Sequence, residues 1–271
     1  MVKITVEPVR LQQLLKQSLA YGKSAITEKS IIKFTPDKVL VPCLLASDAI
    51  ILAEYDKTFF NSIECTEEEL FMTTLTLVKN RLSHGFNGEK VTFTTDKEYV
   101  TVTGEGTDDT IKEKLDEIVE EKIAAMNGKL LHWAITQVGI IPYTDPEETK
   151  FMPFDLQAMV EVARFSDLPE YEYVNFVFDG KTLTMKLSDQ LGNRTRPLPI
   201  KNHAKENKIV EGLTIGEDKG PKFDYRYNMK LVTQLVSQFE GDVWLSFNNG
   251  MLIIGQKNKD YSVSYIAAIS Q

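Results

Sequence analysis

Few residues of this 271-residue chain stand where they could do covalent chemistry. His84, His132 and His203 are scattered, and none lies near Cys43 or Cys65 at metal-ligand spacing. Thr103-Gly-Glu-Gly-Thr107 has the glycines of a phosphate-cradling loop. It lacks the lysine, and no helix follows directly. Asp108-Asp109 and Glu67-Glu-Glu69 offer neighbouring carboxylates, the groups of acid–base catalysis, but they read as solvated charge or helix starts. Trp133 and Trp244 fall in strand-like runs and are expected to be packed. The expectation is a protein that is not an enzyme and uses no cofactor and no metal.

A more orderly pattern is cationic. Four segments have helical period, with apolar residues on one face and amides and cations on the other. Over 8–23, Leu11, Leu14, Leu15 and Leu19 point inward, while Gln12, Gln13, Lys16 and Lys23 point out with Arg10 on the flank. Over 74–84 the outward residues are Thr76, Lys79, Asn80 and Ser83, flanked by Arg81. Over 153–165 they are Gln157, Glu161 and Arg164, and over 227–239 they are Lys230, Gln234, Ser237 and Gln238. These faces are poor in carboxylates, Glu161 apart, although the net charge is −8. Ordinary solvated helix faces would look similar.

The elements that must position these faces repeat. Short strands are predicted at 2–6, 31–34, 39–42, 49–55, 70–73, 91–95, 99–104 and 129–135, and again at 174–178, 183–187, 194–200, 209–215, 242–247, 251–254 and 261–269. A mixed-charge amphipathic helix is predicted over 109–127. Leu77-Val-Lys-Asn-Arg-Leu-Ser-His-Gly-Phe-Asn-Gly-Glu-Lys-Val-Thr-Phe93 parallels Leu231-Val-Thr-Gln-Leu-Val-Ser-Gln-Phe-Glu-Gly-Asp-Val-Trp-Leu-Ser-Phe247, with helix, glycine turn and strand in the same order. Between the halves runs Gly139-Ile-Ile-Pro-Tyr-Thr-Asp-Pro-Glu-Glu-Thr-Lys-Phe-Met-Pro153, whose prolines exclude helix interior and central strand. The chain therefore reads as domains 1–138 and 151–271 joined by a connecting loop at 139–150. Apolar residues at 42% and charged residues at 26% fit a soluble globular protein, and no apolar run approaches the roughly 20 residues of a membrane span. Two cysteines in apolar or strand-like contexts fit free thiols in a reducing compartment.

In this order and spacing the segments resemble a DNA sliding clamp of the proliferating cell nuclear antigen type. The likeness is carried by the connecting loop, by Ile63-Glu-Cys-Thr66, by Gln190-Leu-Gly-Asn193 with Val210-Glu-Gly-Leu-Thr-Ile215, by the repeated helix–turn–strand unit and by the ending Tyr265-Ile-Ala-Ala-Ile269. Ala268 stands where the family usually has proline, and the 109–127 helix looks like an insertion. The resemblance implies an α+β chain of two similar clamp domains, each with two helices backed by antiparallel sheets, forming one third of a ring. It implies a homotrimer closed by edge strands, with 129–135 as the edge of the first domain. Arg10, Lys16, Lys23, Lys79, Arg81, Arg164 and Lys230 would face double-stranded DNA without reading sequence. Leu44, Asp48, Ile51, Ile140, Ile141, Tyr143, Tyr265, Ile266, Ala267 and Ala268 would form a partner groove. Partners would be a DNA polymerase, an ATP-using clamp loader, a flap nuclease and a ligase, in the cytoplasm and nucleoid or in a nucleus, with no membrane. Two alternatives stand beside this: a monomeric or hetero-oligomeric viral processivity subunit, and an enzyme or ligand-binding protein on a duplicated α+β scaffold.

Overall fold

The computed structural model describes residues 1–19, 30–45, 49–73, 89–96, 98–106, 110–115, 152–154, 171–178, 183–189, 195–198, 223–236, 238–239, 243–248 and 251–267. Two compact units emerge: Met1–Pro142 with Asn258–Val263, and Tyr143–Lys257 with Ser264–Gln271.

The first unit opens with β1 (Val2–Val6), where Val2, Ile4 and Val6 are buried and Lys3 and Thr5 are not. Helix α1 (Pro8–Leu19) follows at once. Proline suits a first helical position, where its missing N–H has no helical partner, and the ladder begins with the Leu11 N–H on the Glu7 carbonyl at 3.0 Å. The strands β2 (Ser30–Phe34), β3 (Lys38–Leu45), β4 (Ala49–Asp56), β5 (Ser62–Glu64), β6 (Glu69–Thr73), β7 (Val91–Thr95), β8 (Tyr99–Gly104) and β9 (Thr110–Lys114) come next. They form a sheet ordered β5-β1-β7-β8-β9 and a run ordered β4-β3-β2-β6, all neighbours antiparallel. Leu11, Leu14 and Leu15 of α1 meet Ile4, Val6, Ile32, Phe34, Val39, Phe60 and Phe93, so one apolar helix stripe closes over two strand groups.

The second unit holds β10 (Met152–Phe154), β11 (Tyr173–Phe178), β12 (Leu183–Ser188), β13 (Thr195–Leu198), β14 (Phe223–Asn228), α2 (Met229–Val236), β15 (Val243–Asn248), β16 (Met251–Lys257) and the later part of β17 (Tyr261–Ala267). Its sheet runs β13-β12-β11-β14, and β10 pairs with β15, which pairs with β16. Val174, Phe176, Leu187 and Tyr227 are fully buried, as are Val232 and Leu235 of α2.

Four expectations change. Residues 110–114 are a strand and not part of a helix. Gly106, at φ +72°, sits in the turn after β8, and β9 then pairs with β8 through Thr103↔Thr110 and Thr101↔Lys112. β-branched Thr110 and Ile111 favour this, and Lys112 Nζ rests 4.0 Å from the Tyr99 ring centroid. Pro153 and Phe154 lie in the edge strand β10 and not in a helix; an edge accepts proline's missing donor. Tyr227 and Asn228 end β14, and the helix begins only at Met229, where the Asn228 Oδ1 accepts the Leu231 N–H at 3.0 Å. β5 was not anticipated. The predicted helix at 74–84, the strands at 129–135 and 209–215, and the connecting loop lie outside the described residues.

Candidate nucleic-acid interface

Helix α1 presents Gln12 exposed and Gln13 and Lys16 half-buried, as its period demands once the leucines face in. Lys16 already interacts within the chain. Arg10 departs from a role open to phosphate. Its Nη1 donates to the Phe59 carbonyl at 2.9 Å and to Asp260 Oδ2 at 2.7 Å, and its guanidinium lies 5.1 Å from the Phe59 ring centroid. Asp260 is held there because its carbonyl accepts the Asp56 N–H at 2.8 Å. A half-buried carboxylate and a carbonyl, both taking bonds from Nη1, hold the cation within the fold.

On α2, Lys230 is exposed and Gln234 half-buried. Gln238, expected to point outward, is buried, with Nε2 donating to the Gln234 carbonyl at 2.9 Å. Beyond the last turn of α2 the chain tucks this amide under the helix end. Lys23, Lys79, Arg81 and Arg164 lie outside the described residues.

Of the groove candidates, Ile51 in the first unit and Tyr265 and Ala267 in the second are buried and present almost no surface to a partner. Strand alternation turns them to the core: Ile51 with Ala53 and Tyr55, and Tyr265 with Val263 and Ala267. Leu44 lies in β3 opposite Ile50, and Ile266 lies in β17. Asp48, Ile140, Ile141, Tyr143 and Ala268 are outside the described residues.

Some of the chemical candidates take part in structural contacts. Burial and then Glu69 push the Cys65 thiol up, and Sγ donates to the Glu67 carbonyl at 2.8 Å, which suits an inert thiol. Glu68 pairs with Lys33 at 2.9 Å and Glu69 with the Met1 amino group. Thr103 and Gly104 end β8. The three histidines and Asp108-Asp109 lie outside the described residues.

Two of the terminal strands of the sheets complete the inventory. Among the described residues β9 borders only β8, and β13 borders only β12.

No family model and no curated protein matches the sequence. Solved structures do match over the whole chain. The A. fulgidus PCNA bound to the C-terminal region of FEN-1 aligns with 100% of this chain and 99% of its own, at TM-score 0.68 and 12% identity. The Thermococcus kodakaraensis PCNA aligns with 100% of both chains at 0.68 and 12%, and the Entamoeba histolytica protein with 100% and 99% at 0.68 and 10%. The fold is that of a sliding clamp.

One strand falls inside the stretch read as an inserted helix, β9 at Thr110–Lys114, while the edge strand expected at 129–135 lies outside the described residues. Sequence patterning missed this strand because Lys112, Glu113 and Lys114 look like a charged helix face. The available signal was Gly104-Glu-Gly106 and Asp108-Asp109, turn residues ahead of the β-branched pair Thr110-Ile111. Arg10's partner Asp260 lies 250 residues away and left no local trace.

Proposed function

We propose that this chain is a DNA sliding clamp: copies close into a ring around duplex DNA and tether replication and repair enzymes to it. The observation that carries this is the clamp fold running through the entire chain and almost the entire length of its structural neighbours. The carboxylate-poor faces of the helical segments support it, since in an acidic chain local cations are what a phosphate backbone would meet. Lys16 and Lys230 among the described residues, and Lys23, Lys79, Arg81 and Arg164 beyond them, are the proposed contacts. Such contacts hold DNA without reading bases, and weak ones permit sliding. In this role the chain is a scaffold and not an enzyme. It needs an ATP-using loader, and polymerase, flap nuclease and ligase would dock on a groove bordered by the connecting loop, in a nucleoid or a nucleus. The A. fulgidus clamp with its FEN-1 peptide supports the nuclease among these.

A homotrimer is the first expectation. A mixed ring is the second, favoured by a PCNA2–PCNA3 complex from Sulfolobus tokodaii that matches at TM-score 0.65 and 13% identity. The test is polymerase product length on primed circular DNA with loader and ATP, beside the native mass of the purified chain. Longer products on addition of the chain, lost when the circle is linearised before loading, are expected. A three-chain mass supports the homotrimer, and a single-chain mass that rises only with a second clamp chain supports the mixed ring. Unchanged product length under all conditions would overturn the function.

A further inference from the structure

Thr103-Gly-Glu-Gly-Thr107 has the glycines of a phosphate-cradling loop and lacks its lysine, and the fold brings two lysines to those glycines. Thr5, Thr92 and Thr103 stand in register across β1, β7 and β8, Thr5 opposite Thr92 and Thr92 opposite Thr103. Their neighbours Ile4, Val6, Val91, Phe93 and Val102 are buried, so alternation sets the three hydroxyls on the face turned from the core. Lys3 lies two residues before Thr5, and Lys90 two before Thr92. Because β1 and β7 are antiparallel, the lysines take that same face on opposite sides of the threonine rank. The Glu105 N–H donates to the Lys90 carbonyl at 2.9 Å, which carries the ladder past the start of β7 and holds the Gly104–Gly106 turn beside Lys90. These residues line one open cleft of about 650 Å³, within the size range of small-ligand sites. A Cβ at Gly106 would meet nothing within 4 Å, so the turn leaves its side of the cleft clear.

The lining thus offers two ammonium groups, three hydroxyls and one carboxylate, Glu105, which is exposed. Lys3 also reaches Glu64 at 3.4 Å, with the side chains 43% and 64% exposed; a pair so open to water is worth little and gives way to a stronger anion. A phosphoryl group matches this set. It carries about two negative charges and three oxygens that accept hydrogen bonds. A carboxylate or a phosphodiester brings a single charge and leaves the second ammonium unanswered. A neutral sugar answers neither. We propose that the cleft binds a dianionic phosphoryl group, free or at the end of a phosphate monoester of nucleotide size. Lys3 and Lys90 meet its charge, and the threonine hydroxyls donate to its oxygens. Glu105 accepts a hydrogen bond from a hydroxyl on the remainder of the ligand. The site goes beyond the clamp reading and shares no residue with the helix faces proposed to meet duplex DNA.

The test is a proton–nitrogen NMR titration of the full-length protein in phosphate-free buffer, with adenosine monophosphate, inorganic phosphate and adenosine as probes. The monophosphate is expected to move the amide signals around Thr5, Thr92 and Thr103 along a saturable curve, and adenosine to leave them in place. Lys3→Gln and Lys90→Gln sit on the solvent face, and circular dichroism checks that each variant folds. Each is expected to weaken binding roughly tenfold, the worth of a hydrogen bond from a charged group. Thr92→Val keeps the shape, drops one hydroxyl and is expected to weaken binding about threefold. Tighter binding of the monophosphate than of inorganic phosphate supports the site with a nucleotide-sized ester as its ligand. Equal binding supports it with free phosphate as the ligand. Adenosine binding as tightly as its monophosphate overturns the inference. So does the absence of saturable shifts at millimolar monophosphate, or binding that both lysine variants leave unchanged. None of these failures touches the ring reading, which the polymerase assay decides.

Discussion

Arg10 illustrates how a single cation is claimed by its own fold. It stands on the flank of α1, where a phosphate contact was expected, yet Asp260 and the Phe59 carbonyl take its guanidinium. The Arg10 side chain is 38% exposed and that of Asp260 21%, so the pair is neither freely solvated nor fully desolvated. Removing the arginine leaves a half-buried carboxylate without its counter-ion and a ring without its cation. Arg10→Ala is therefore expected to lower unfolding stability by about 2 kcal/mol, the range of a hydrogen bond to a charged group. Arg10→Lys should recover part of this, because an ammonium can replace the two bonds of Nη1 but not the planar guanidinium over the Phe59 ring. Denaturant titration reads both. DNA retention per assembled ring should be unchanged. A fully stable Arg10→Ala chain with weakened DNA retention would return Arg10 to the phosphate contacts.

At the scale of elements, turns depend on two aspartates. Asp56 Oδ1 accepts the Thr58 N–H at 2.9 Å and hydroxyl at 2.8 Å, and Asp96 Oδ1 accepts the N–H groups of Glu98 and Tyr99 at 2.8 and 2.7 Å. These bonds hold both carboxyls below their usual range, the Thr58 backbone bond first for Asp56 and the Glu98 backbone bond first for Asp96. A lowered folded value means stability that is present above the unfolded value of about 4 and lost as pH falls through the folded one. Replacing both with Asn is expected to lower the melting temperature at pH 7 and to make its decline between pH 5 and pH 2 shallower. An acid limb as steep as the parent's would mean other carboxylates carry it. The same elements show what patterning makes legible. α1 and the hairpins β2–β3 and β7–β8 were readable because leucine spacing, strict alternation and Pro36-Asp37 or Asp96 act locally. β9 was misread because a strand with one buried glutamate between two lysines has the composition of a helix face. Its partner strand, not its own sequence, decides its state. β14 was missed because Tyr227 follows the helix period as well as the strand alternation, and Phe176 and Val174 on β11 settle the matter. Ile51 and Tyr265 could be placed in strands, but which face they take follows from packing.

For the whole molecule, the governing quantity is where its charge sits. A chain at −8 repels DNA at long range, so a ring of it would be held only by cations gathered on the helix faces. Each phosphate contact releases condensed counter-ions, and affinity falls with salt in proportion to the number of such contacts. Reversing Lys16 and Lys79 together to Glu removes two of the proposed contacts per chain and adds repulsion. Retention on circular DNA should weaken, and the slope of log affinity against log salt should become shallower by about 1 to 2 for each chain that contacts the duplex. The native mass is expected to equal the parent's, since a loss of mass would put these residues at a contact between chains and not on the DNA. A ring that loads and slides as the parent does after this reversal would mean that these helix faces do not meet the DNA, and the acidic surface would then have to be shielded from it by some other part of the chain.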